Sequence, residues 1–210
     1  MRKDIAKILI LLFFITMCRE VPMALKDDTP FLRAHIEEYD NRNQKLNEFD
    51  IEMSAIGALT GSFIGEITHH FGGVSSHECF DKEGYLSFWF WRRDIHCHKL
   101  QQKYWLKMCD PFHFQCPLSD EEFVVFIGCC PDIEQKGCTL LNFELLPESY
   151  IYFVAVEPLR EPGENPLNHF AFTDPSNDYF DKGNFNIIGS LEGKNVKIKG
   201  DFKALIYVDD

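Results

Sequence analysis

From Phe49 the chain alternates. Phe49, Ile51, Met53 and Ala55 are apolar, and Asp50, Glu52 and Ser54 between them are polar. A period of two marks a strand with one buried face. Residues 86–91, Leu-Ser-Phe-Trp-Phe-Trp, carry bulky apolar side chains on both parities. They predict an interior strand, or one with an aromatic stripe left for a ligand. Residues 62–68, 122–129, 140–146, 150–157 and 169–173 are further strands, with a turn over His69–Gly73 ending the first. Pro131, Pro147 and Pro158 separate the later ones, because proline cannot donate to a ladder. The last quarter reads as a meander of 184–190, 195–199 and 203–208, with turns at Glu192-Gly193 and Gly200-Asp201. Val196 and Ile198 point inward there, and Asn195, Lys197 and Lys199 outward.

One upstream segment reads differently. Thr29-Pro30 has the form of an N-cap followed by proline at the first helical position. Phe31, Leu32, Ala34, Ile36 and Tyr39 give a rough apolar face, and Glu37, Glu38, Arg42 and Lys45 cover the outside. The expectation is a short amphipathic helix to about Asn43. The fold class is therefore mainly β: an antiparallel sandwich or barrel with one short N-terminal amphipathic helix.

The N-terminus reads as an address. Arg2, Lys3 and Lys7 precede an apolar run from Ile8 to Cys18, and charge resumes at Arg19. The run fits a signal-peptide core and is too short to span a bilayer. Thr16 and Cys18 at −3 and −1 place the cut after Cys18. The expected organisation is a signal peptide over 1–18, an N-terminal segment over 19–48 and one β-rich domain over 49–210, with its cysteines within 79–138. Localisation is expected to be secreted and extracellular, with no stable membrane insertion after cleavage.

Secretion changes the meaning of the cysteines. Without Cys18, seven remain: Cys79, Cys97, Cys109, Cys116, Cys129, Cys130 and Cys138. In an oxidising compartment they read as disulfide candidates, with three bridges and one odd thiol, or one bridge to a second chain. Cys129 and Cys130 point to opposite faces of a strand, so they need different partners. No C-x-x-C spacing supports a structural zinc.

Charge narrows the partners. The whole chain carries a formal net charge of −12. Loss of Arg2, Lys3, Lys7 and Asp4 leaves 18 basic and 32 acidic side chains, a net of −14. Nucleic acid needs a basic surface, so it is excluded as the main partner.

Candidate chemistry is sparse. In His96-Cys97-His98 the two imidazoles share one face of a strand and are the candidate metal pair, with His69, His70, His77 or His113 as a third ligand. The nucleophile elbow G-x-S-x-G is absent, as is the phosphate loop G-x-x-x-x-G-K-[ST]. No catalytic residue and no cofactor is therefore assigned, and enzymatic activity is not expected. Phe88, Trp89, Phe90, Trp91, Tyr104, Trp105, Phe112 and Phe114 crowd into 27 residues. Trp, Tyr and Arg are enriched in binding hot spots, so Trp89, Trp91, Arg92, Arg93 and Trp105 are the candidate partner or ligand residues. The resulting expectation is a secreted, disulfide-bonded β-rich binding protein recognising an extracellular protein. The alternatives are a secreted carrier of an apolar small molecule such as a lipid, and a metal-dependent secreted hydrolase using His96 and His98.

Overall fold

A computed structural model describes residues 29–63, 66–93, 100–109, 118–131, 137–158 and 179–208. The region expected to be a signal peptide, His96, His98, Cys97, Cys116, His113 and the strand expected over 169–173 lie outside them. Among the described residues are twelve strands: β1 (Phe31–Tyr39), β2 (Lys45–Met53), β3 (Ile56–Phe63), β4 (Glu66–Cys79), β5 (Lys82–Arg93), β6 (Lys103–Lys107), β7 (Glu122–Cys130), β8 (Thr139–Leu140), β9 (Phe143–Leu145), β10 (Tyr150–Pro158), β11 (Tyr179–Leu191) and β12 (Lys194–Val208). Among the described residues no helix is long and apolar enough to cross a membrane.

The sheet curls into a barrel. From β12 the pairing runs through β3, β4, β5, β7, β6, β10 and β11, and β11 pairs back onto β12. The β1–β2 hairpin extends this wall, because β1 pairs with the first part of β12 and β3 with its last part. Two pairings are parallel, β3 with β12 and β6 with β7. The antiparallel expectation therefore holds for the other ladders only, and the sandwich alternative gives way to the barrel.

The expected N-terminal helix is corrected. Phe31–Tyr39 is strand β1, and Leu32, Ala34, Ile36 and Glu38 are buried in strict alternation. The positions i and i+4 that suggested a helix are equally i and i+4 of a strand, and the intervening Ala34 decides for period two. Pro30 precedes the strand, where its missing N–H costs no ladder bond. The sheet thus begins inside the 19–48 segment.

Three expected turns were tested by the backbone. Glu192 and Gly193 both have positive φ, 51° and 82°, the two-residue hairpin geometry matching strand twist. Gly200-Asp201 is no turn. Strand β12 runs straight through it, and Gly200 sits opposite Phe185, while Gly183 sits opposite Phe202. A Cβ on Gly200 would lie 2.4 Å from the Phe185 ring, and one on Gly183 2.6 Å from the Phe202 ring. These glycines let aromatic rings lie over the neighbouring strand. His69–Gly73 is likewise the middle of β4.

Alternate residues of the barrel strands fill its lumen. Phe71, Phe90, Phe153, Phe185 and Phe202 are buried and meet across it, with ring centroids 5.1 Å apart for Phe90 and Phe185 and 4.6 Å for Phe71 and Phe202. An eight-stranded barrel has an interior just wide enough for side chains or one small ligand. Here the middle is an aromatic plug.

The lower end, where β4 turns into β5 and β11 into β12, is clasped by charge. Lys194 bonds Asp81 and also Glu38, the latter at 3.2 Å, and Lys82 pairs with Glu192 at 2.8 Å. The buried Glu38 also accepts from Asn47. The hydrogen bond to Asp81, then that to Glu38, holds the Lys194 ammonium above the ordinary lysine range, against the opposing effect of burial. A raised lysine pKa gives stability that is complete below the unfolded value of about 10.4 and is lost as pH climbs through the folded one. The melting-temperature gap between the native protein and Lys194→Met is expected to be largest below pH 10 and to shrink by pH 12. A gap unchanged with pH would contradict this assignment.

Two bridges are seen whole. Cys79 bonds Cys129, and Cys130 bonds Cys138. Cys109 is also disulfide-bonded. The neighbours Cys129 and Cys130 take different partners, as their opposite faces require.

Candidate ligand site in the barrel lumen

Above the plug, toward the end where β5 finishes and β7 begins, the lumen carries polar groups. His69 is directly opposite Arg92 on the β4–β5 ladder, and both share the parity of the buried Phe71 and Phe90. Asp181 shares the parity of Gly183 and Phe185 on β11. His69 Nε2 lies 3.1 Å from Asp181 Oδ2. Strands β3 and β12 intervene between β4 and β11 in the wall, so this contact spans the lumen.

Arg92 continues the layer. Its guanidinium lies over the Tyr104 ring at 4.9 Å and the Phe123 ring at 5.6 Å. His69 itself meets Phe123 and Phe153 edge-on at 6.2 Å and 6.3 Å. His69, Arg92 and Asp181 are 5%, 7% and 0% exposed. The layer is thus one cation, one imidazole–carboxylate pair and one phenol, resting on aromatic rings and shut off from water. Burying such groups is costly unless they are paired. Arg92 Nη1 is out of reach of solvent and has no hydrogen-bond partner among the described residues.

The residues expected to form one binding patch are divided between two faces. Trp89 and Trp91 are half-buried on the outer face of β5, and Trp105 is 44% exposed on the outer face of β6. Arg92 points the other way, into the lumen. Adjacent residues of a strand face oppositely, so Arg92 and its tryptophan neighbour cannot share a surface. Arg93 ends β5, and its side chain is outside the described part.

The histidines offered as a third metal ligand are also scattered. His69 is in the lumen, His70 is outside with its ring 6.2 Å from Trp89, and His77 stacks on Phe49 at 4.1 Å near the lower end. A different group, His35, Glu37 and Glu48 on the outer face of β1 and β2, brings its ligand atoms within 4.8 Å of one another. Lys45 Nζ already sits there, 2.6 Å from Glu37 and 2.8 Å from Glu48. That hydrogen bond is the main reason the Glu37 carboxyl is held below the ordinary range. The cation bound by these carboxylates is the chain's own ammonium.

Strand parity was the available signal for the lumen site. Asp181, Gly183, Phe185 and Ile187 form one alternating series, and Phe88, Phe90 and Arg92 another. A charged residue continuing an inward apolar series belongs to the interior. No known family, characterised protein or solved structure matches the chain.

Proposed function

We propose that the protein is a secreted, disulfide-stapled barrel that carries a small organic ligand above the aromatic plug. One observation supports this reading most: charged and polar side chains from β4, β5, β6 and β11 converge inside the barrel, where closing the fold requires only apolar ones. Binding sites of this kind are mostly apolar with a few convergent polar groups. The lower end is shut by the plug and by the Lys194 clasp, so the ligand enters from the upper end. Secretion is supported by the apolar N-terminal run and by disulfides, which persist in oxidising compartments. The test is titration of the oxidised protein with Nile red, a neutral apolar fluorophore. The expected result is saturable fluorescence with one site per chain and a raised melting temperature, since a ligand that binds only the native state stabilises it. No saturable binding would overturn the carrier reading.

A second reading keeps the expectation of an extracellular protein partner. Trp105 and Val154 are 44% and 47% exposed on the outer face, and Lys103 lies over the Tyr150 ring at 4.3 Å beside them. Exposed tryptophan with flanking cations suits a hot spot. The three tryptophans are outside the lumen, so their response separates this reading from the first.

A further inference from the structure

We infer that the ligand's polar group is a carboxylate and that Arg92 receives it. This rests on the carrier reading above and adds the ligand's chemical class. Arginine stays charged at any physiological pH, so Arg92 cannot shed its proton to escape burial. The Tyr104 and Phe123 rings, their centroids 5.2 Å apart, both lie to one side of it, and they attract a cation but accept no in-plane hydrogen bond. The Nη1 donors lie at the edge of that stack, buried and without an acceptor among the described residues. The carboxylate of the layer, Asp181, lies against His69 across the lumen, Oδ2 3.1 Å from Nε2. A planar carboxylate matches the guanidinium edge in charge and geometry. A neutral hydroxyl or carbonyl accepts from this donor but leaves the buried charge uncompensated, and an ammonium ligand is repelled by it. The rings of Tyr104, Phe123 and Phe153, packed 5.2 to 5.9 Å from one another, make the surroundings of the guanidinium apolar. The site therefore fits an amphiphile with an apolar body and a terminal carboxylate.

The experiment uses matched probes on the oxidised native protein: laurate with dodecanol, and 2-naphthoate with 2-naphthalenemethanol, each competing with Nile red. Each pair shares a body and differs in the head group. The expected result is that, in at least one pair, the carboxylate binds about 10- to 100-fold more tightly than the alcohol, the range of a hydrogen bond to a charged group. Arg92→Met should reduce that ratio to near one, and Arg92→Lys should restore part of it. Equal binding of acid and alcohol would overturn the carboxylate inference and leave the carrier reading standing. A carboxylate preference that survives in Arg92→Met would overturn the assignment to Arg92. If Nile red shows no saturable binding, the carrier reading falls, and this inference with it; if Nile red binds and none of the four probes displaces it, the carboxylate inference alone falls. Should Arg92→Met not fold, the acid-to-alcohol ratio in the native protein and in Arg92→Lys still decides.

Discussion

Truncating Phe153 to alanine is expected to destabilise the protein by about 3–5 kcal/mol, the cost of emptying a fully buried aromatic site. Phe153 is 0% exposed and stands at the junction of the plug and the polar layer. Its ring contacts those of Phe123, Phe202 and Tyr104 at 5.3 Å, 5.5 Å and 5.9 Å, besides that of His69. These neighbours come from β7, β12, β6 and β4, so no single strand can shift to fill the void. For a chain of this size the loss corresponds to a fall in melting temperature on the order of 10 °C. The damage reaches the site as well, because His69 and the ring beneath Arg92 lose a supporting wall. Nile red affinity should fall together with stability. A melting temperature within about 2 °C of the native value would show that the lumen is not packed at this level.

Removing the Cys79–Cys129 bridge by a paired alanine substitution is expected to cost about 4 kcal/mol. The bridge closes a loop of 50 residues, and loop-closure entropy in the unfolded chain gives that magnitude. It fastens the end of β4 to β7 across the intervening β5. The Cys130–Cys138 bridge closes only 8 residues, so its paired removal is expected to cost about 2.5 kcal/mol by the same relation. Thermal melting of the two double variants checks both the size and the order of the losses. The reverse order would contradict the loop-entropy account.

Much of the barrel was legible in alternation. Residues 49–55, 122–129 and 150–157 follow period two or a buried apolar run, and they fall on β2, β7 and β10. Where reading failed, glycine or ambiguity of period was the cause. Gly72-Gly73 and Gly200-Asp201 look like turns, yet each lies within a long strand, where the missing Cβ admits a close neighbour. The helix expected over Phe31 to Asn43 failed because i, i+4 spacing does not distinguish the two periods. Strand β6 was hidden inside an aromatic cluster, since five residues are too few to show a period.

The site was less legible than the fold. Arg92 was grouped with Trp89 and Trp91 by composition, although its parity places it in the lumen. Asp181 drew no attention, because its meaning depends on His69, which lies 112 positions earlier in the chain and reaches it only once the barrel closes. A pair that forms across a lumen has no local spacing to reveal it.

The central claim is that ligand enters the lumen and not the outer aromatic face. NMR titration of isotope-labelled protein, with whichever probe binds most tightly, reads both faces at once. The account predicts that the largest shifts fall on the side chains of His69, Arg92, Tyr104 and Phe123, while the indole N–H signals of Trp89, Trp91 and Trp105 hardly move. Shifts confined to the three indoles, with the lumen residues unchanged, would contradict it.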